Sequence, residues 1–244
     1  MKVSCLHENL ARGLGIVGRA VAARSTLPVL GNVLLATDDS LLRLSATNLE
    51  LGITCWIGAK VHVEGSTTVP AKTFIDLVGT LPRDRVDLEL TTRTQTLHVG
   101  CAQINNDIKC IDAQEFPILP LADEAQAIEL NVHDLRAMID QVVFAAATDD
   151  ARPVLTGVEV KIERNEVSFA AADGFRLALC NSALSDTDVQ PISAIIPARG
   201  LAELARIVGD QDELVTLTLP PGSGQAIFRA QDVELVSQLI EGNF

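Results

Sequence analysis

The chain has 244 residues, 48% of them hydrophobic, which suffices for two medium domains that each bury a core. Its formal net charge of −13, from 32 acidic and 19 basic residues, excludes nucleic-acid attraction by evenly spread charge and makes the placement of each Arg and Lys informative. No apolar run is long enough to span a bilayer, Glu8, Arg12 and Arg19 interrupt the apolar N-terminal stretch, and five cysteines show no C-x-x-C spacing; a cytoplasmic protein with free thiols and no membrane association is expected.

In chain order, a short strand leads into a long helix over LHENLARGLGIVGRAV, which sets Leu6, Leu10, Leu14, Val17 and Val21 at helical spacing. A strand meander follows through LPVLGNVLL and LLRLSATN. A second helix starts after Pro70, buries Phe74, Leu77 and Val78, and ends near Gly79; further strands such as VDLEL come next. The Pro-rich, acidic stretch FPILPLADEAQA places a domain joint near residue 122, giving domains 1–122 and 123–244. Beyond it, Asn131 caps a helix with Leu135, Met138, Ile139, Val142 and Val143 on one face. Alternating segments VEVKI and EVSFAAA follow, with a turn at Asp173-Gly174. A fourth helix starts after Pro197, buries Leu201, Leu204 and Val208, and ends near Gly209. Strands outnumber helices and hairpins dominate, so the fold class is α+β, each domain packing two helices on antiparallel sheets.

The two halves repeat one another. LPVLGNVLL (27 to 35) recurs as RPVLTGVEV (152 to 160), with Pro28, Val29, Leu30 and Val33 answered by Pro153, Val154, Leu155 and Val158. LLRLSATN answers to EVSFAAAD, VPAKTFIDLVGTLP to IPARGLAELARIVG, VDLEL to VTLTL, and IKCIDAQEF to VSQLIEGNF. A period this long is a duplicated domain rather than a solenoid repeat.

Catalytic signals are sparse. Gly13, Gly15 and Gly18 match G-x-G-x-x-G, yet a dinucleotide fold places the first glycine directly after a strand, and here HENLAR intervenes while helical periodicity runs through the glycines. His7, His62, His98 and His133 are scattered, no serine sits in G-x-S-x-G, and no acidic pair stands out, so no catalytic residue, metal or cofactor is expected. The polar helix faces are more informative. Arg12 and Arg19 share one helix stripe with small residues, and Arg199 and Arg206 share another; Lys72 opens the second helix and Arg136 lies on the polar side of the third. Any one of these fits a solvated face, but recurrence in an acidic chain points to sequence-independent phosphate attraction. Base readout is not expected, because the chain has no tyrosine, one tryptophan and no Asn or Gln array on these helices.

LPVLGNVLL with SATNLELGI, RPVLTGVEV with AAADGFRLA, and the final QLIEGNF resemble the bacterial sliding clamps, the beta subunits of DNA polymerase III, over the whole chain. The resemblance implies duplicated DNA-clamp domains, helices lining a ring and strands forming its outer shell. It implies a non-enzymatic processivity factor, needing no cofactor, that encircles double-stranded DNA as a homodimer. The implied partners are the DNA polymerase III alpha subunit, the clamp loader and other proteins carrying a clamp-binding motif. By position, Arg24, Thr148, Asp149, Asp150 and Arg152 match places that approach DNA; Ala172, Gly174, Phe175, Arg176 and Leu177 match one side of a partner-peptide groove, a role compatible with a plain turn at Gly174. Family members have three domains, and two are expected here. The alternatives are a two-domain clamp closing as a homotrimer, a nucleotide-binding enzyme using Gly13 to Gly18, and a generic protein-interaction module.

Overall fold

The computed structural model describes residues 1–120, 127–149, 151–184, 191–208, 214–220 and 222–244. The chain divides into two compact units, Met1–Leu119 and Pro120–Phe244. The joint expected near 122, Asp150 and the helix end expected near Gly209 lie outside the described residues. No helix is long and apolar enough to cross a membrane among the described residues.

The first unit runs β1 (Lys2–Leu6), α1 (His7–Val17), β2 (Asn32–Asp38), β3 (Leu41–Thr47), β4 (Leu51–Val63), β5 (Ser66–Pro70), α2 (Ala71–Thr80), β6 (Arg85–Thr91), β7 (Thr96–Cys101) and β8 (Ile104–Lys109). The strands pair antiparallel in the order β8-β7-β6-β1-β4-β3-β2-β5. Strand β4, 13 residues long, belongs to two arrays: Gly52–Gly58 pair with β3, and Ala59–Val63 pair with β1. Helix α1 buries Leu10, Gly13, Leu14 and Val17, and Gly13 lies so close to Leu44 and Ile57 that these sheet side chains occupy the space a Cβ would need. The sequence periodicity extends this helix at both ends beyond what forms. Leu6 is the last residue of β1, where alternation turns Val3 and Cys5 inward and leaves Leu6 60% exposed. Past Val17 the chain tightens into a 3-10 turn at Gly18–Ala20 that buries Ala20, and Val21 falls outside the helix, half-buried. Helix α2 starts after Pro70 and buries Phe74 and Val78, with Leu77 half-buried. His7 Nε2, 2.9 Å from the Val78 carbonyl, ties the start of α1 to α2.

The second unit repeats the order: β9 (Ile128–Asn131), α3 (Val132–Val142), β10 (Gly157–Glu163), β11 (Glu166–Ala172), β12 (Leu177–Ala183), β13 (Ile192–Pro197), α4 (Ala198–Ile207), β14 (Leu214–Thr218), β15 (Gln225–Ala230) and β16 (Val233–Gln238). Its antiparallel arrays are β12-β11-β10-β13 and β9-β14-β15-β16. The Asn131 side chain accepts the backbone N–H groups of His133 at 2.9 Å and Asp134 at 3.3 Å, capping α3. Leu135, Met138, Ile139 and Val142 are buried as the spacing predicts, and Val143 is half-buried in the 3-10 turn that follows.

The repeated phrase has a structural reason. In both units its proline opens a 3-10 turn, Pro28–Gly31 and Pro153–Thr156, that feeds the next strand. In both, the tail of the unit packs against it: Phe116 forms a cluster with Val29 and Leu30, and Gly242 lies against Val154. Each phrase therefore closes one copy of the domain onto its own end.

Candidate functional site

Two kinds of surface emerge from this scaffold, helix faces in both units and an apolar corner in the second. On α1 and the turn after it, the exposed residues Glu8, Arg12, Gly15 and Arg19 recur at intervals that keep them on one stripe, opposite the buried one. Arg24 is exposed in the loop beyond. Lys72 is exposed in the first turn of α2, and Arg199 in the first turn of α4; neither turn holds an acidic residue. A cation there opposes the helix macrodipole, at a cost of roughly 0.3–1 kcal/mol each. Arg206 is exposed two turns further along the same stripe of α4, and Arg136 is half-buried on α3.

The faces are less purely basic than the arginine spacing alone suggests. Glu203 bonds Arg206 at 2.8 Å, Glu8 approaches Arg83 at 3.7 Å, and Asp76, Asp134 and Asp140 are also exposed on these helices. Such partners moderate the positive field of these faces.

Gly13 and Gly15 lie in the second half of α1 and Gly18 opens the turn that ends it, far from the helix N-terminus at His7. Gly13 is packed against the sheet, Gly18 against Ile75, and Gly15 faces open space, so the arrangement lacks the exposed helix start that receives a pyrophosphate. The histidines stay apart, His62 beside Ser4 and His98 beside Asp107, and no group of three or more His, Cys, Asp or Glu that could hold a metal occurs among the described residues. All five thiols are free, and burial pushes that of Cys5 up to about 12, so it stays protonated.

The corner between β11 and β12 brings together Ala172, Gly174, Phe175, Arg176 and Leu177. Gly174 takes φ +90°, a left-handed conformation that suits glycine. Asp173 Oδ1 accepts the backbone N–H groups of Phe175 at 2.9 Å and Arg176 at 3.0 Å, while Oδ2 accepts Arg176 Nε at 2.8 Å. Those backbone donors, with the Arg176 guanidinium, hold the Asp173 carboxyl below the usual aspartate range. Phe175 is 97% exposed and Leu177 70%.

Two participants, Phe144 and Leu179, are not apparent from the sequence, and a third, Asp173, is expected there only as part of a turn. Phe144, in the 3-10 turn after α3, is exposed beneath the Arg176 guanidinium, which sits 5.7 Å from its ring centre. Leu179 is exposed beside Leu177 on the same face of β12, and β12 is an edge strand of its array. Asp173 is the hub of the corner. Arg152, matched to a DNA-approaching place, donates from Nη2 to the Asp173 carbonyl at 3.1 Å. Asp149 accepts the Ala151 N–H at 3.0 Å within the same loop, and Thr148 is exposed.

Comparison with known proteins covers both units. The N-terminal domain of the DNA polymerase III beta subunit matches residues 1–120, and the central domain of that subunit matches residues 129–244. The beta sliding clamp of Synechococcus elongatus is 36% identical over 248 residues, covering all of this chain and 66% of the relative; that of Bacillus subtilis is 31% identical with the same coverage. The crystal structure of the Bacillus subtilis DNA polymerase sliding clamp superimposes with a TM-score of 0.96 at 28% identity, and that of a Pseudomonas aeruginosa clamp bound to griselimycin with 0.92 at 29%, each over all of this chain and 66% of the other. The chain thus spans about two thirds of the length of the relatives it matches. Two successive domains matched in order, on a duplicated helix-pair and antiparallel-sheet fold, place the chain in the DNA polymerase III beta subunit family, the beta sliding clamps.

Proposed function

We propose that the chain supplies two arcs of a ring that encircles double-stranded DNA without reading its sequence and tethers the replicative polymerase to it. The observation that carries this reading is the pairing of Lys72 and Arg199. Both units place a cation in the first turn of an equivalent helix, against the helix dipole and with no acidic residue in that turn. The helix dipole disfavours that choice, whereas a phosphate anion would favour it. Arg12, Arg19 and Arg24 in the first unit, and Arg136 and Arg206 in the second, add to the basic side chains that each unit would offer to phosphate. Retention then comes from topology, and weak phosphate contacts permit sliding. In this reading the protein is a cytoplasmic, non-catalytic accessory factor, a homodimeric ring when full length. The corner at Ala172 to Leu177 is one side of the groove that receives short peptides from the DNA polymerase III alpha subunit, the clamp loader and other partners. Apolar side chains beside a charged rim are what such an anchor site requires. Griselimycin, the ligand of the Pseudomonas aeruginosa clamp, is expected to bind this corner.

Fluorescence anisotropy of labelled duplexes of unrelated sequence tests the DNA reading. Affinity is expected to be weak, equal for all sequences, and to fall steeply as salt is raised. Affinity that depends on sequence or ignores salt would refute it.

A further inference from the structure

We propose that Arg152 is a positioning residue for the partner-binding corner: its guanidinium lies across the Asp173-Gly174 turn and holds Phe175 and Leu177 facing outward. The inference rests on the groove reading given above.

Arg152 Nη2 donates to the Asp173 carbonyl at 3.1 Å. A Cβ placed on Gly174 would lie 3.0 Å from Arg152 Nη2, 3.2 Å from Nη1 and 3.5 Å from Cζ, so the guanidinium is in contact with the glycine across its whole width. Gly174 therefore serves two purposes at once, a left-handed φ of +90° and room for the arginine. The turn is gripped on both sides. Arg152 takes the carbonyl of Asp173, and the carboxylate of Asp173 takes the N–H groups of Phe175 and Arg176. Arg152 is itself anchored, since its carbonyl accepts Leu155 N–H at 3.0 Å and the Leu155 carbonyl accepts Ala147 N–H at 2.8 Å.

Such a strut is needed because of what the corner displays. Phe175 is 97% exposed and Leu177 70%, so burial supplies almost nothing to fix them. A loose turn would let Phe175 and Leu177 sample many directions, and a partner would have to order them on binding. Holding the turn rigid before binding removes that ordering cost from the binding step. A purely phosphate-directed Arg152 has no reason to lie flat on a glycine whose carbonyl neighbour it bonds. A lysine could reach the carbonyl but offers no planar surface to the turn.

The test uses the 244-residue chain with Arg152→Met, Arg152→Lys and Phe175→Ala. Two quantities are read by NMR: amide hydrogen exchange at Phe175 and Arg176, and the griselimycin dissociation constant from shift titration. In Arg152→Met, exchange at those two amides is expected to rise roughly tenfold, with the amides of β10 and β11 unchanged, and griselimycin to bind roughly tenfold more weakly. Arg152→Lys is expected to recover part of both losses. Phe175→Ala should weaken griselimycin while leaving the Arg176 amide at its wild-type rate. If Phe175→Ala weakens griselimycin but Arg152→Met leaves both exchange and affinity unchanged, the positioning role is wrong and the groove reading survives. If neither variant alters griselimycin binding, the groove reading fails and takes the positioning role with it.

Discussion

Gly13 and Gly15 are two residues apart on one helix, and the structure assigns opposite signs to the same substitution at each. At Gly13 a Cβ would meet Leu44 Cδ1 at 2.6 Å, Ile57 Cγ2 at 3.0 Å and Cys55 Sγ at 3.6 Å. Leu44 and Ile57 are fully buried, so neither can swing aside without disturbing the sheet. Gly13→Ala gains about 0.8–1 kcal/mol of helix propensity and meets about 1–3 kcal/mol of overpacking, a net loss of up to roughly 2 kcal/mol. At Gly15 nothing lies within 4 Å of the added methyl, so Gly15→Ala keeps the propensity gain and stabilises by roughly 0.5–1 kcal/mol. Trp56 is the only tryptophan, sits on β4 in the first unit and donates to Asp38 at 2.8 Å. Its fluorescence therefore reports unfolding of that unit, and a urea titration gives the midpoint shift directly. Gly13→Ala should lower the midpoint and Gly15→Ala should raise it. Shifts of the same sign would refute the packing argument, and a nucleotide that stabilises the wild type but not Gly15→Ala would revive a phosphate-binding role for the motif.

Other consequences are open to measurement. Phe169→Ala removes a fully buried ring from β11 and should destabilise the second unit by about 3–5 kcal/mol in a chemical melt. Asn131→Ala removes the two-donor cap of α3 and should cost about 1 kcal/mol, most of it recovered by Asn131→Asp. The Asp173 carboxyl is held below the usual aspartate value, so its contribution to the corner is present above that value and lost as pH falls through the lowered one; the carboxyl should titrate below the ordinary aspartate range in an NMR series. A normal or raised midpoint would show that the Phe175 and Arg176 amides do not bond it.

Much of the fold was legible because local chemistry and tertiary packing agree. Pro70 and Pro197 start helices, Asn131 caps one, and the apolar spacing of α3 is its buried face. Agreement stopped where a different constraint took over. Leu6 and Val21 fit the helical period of α1, but strand pairing with Arg85 captured the first and the tight turn at Gly18 excluded the second. The corner was harder still. Phe175 lies in the turn before β12, and Leu177 and Leu179 alternate along β12 with the period of a buried strand face, yet all three side chains are exposed. Phe144 lies off the α3 stripe and carried no periodic signal. The bond from Arg152 ends on a backbone carbonyl 21 residues away, a partner that no side-chain pattern encodes.

The central claim is that the two units offer duplex DNA equivalent basic helix faces. The most direct measurement is the salt dependence of duplex affinity for two double variants, Arg12→Ala with Arg19→Ala in the first unit and Arg199→Ala with Arg206→Ala in the second. Both pairs are expected to weaken binding to every sequence and to reduce the slope of log K against log salt by similar amounts, up to about 2 if both arginines of a pair meet phosphate. A loss confined to one unit, or an unchanged slope in both, would contradict the account.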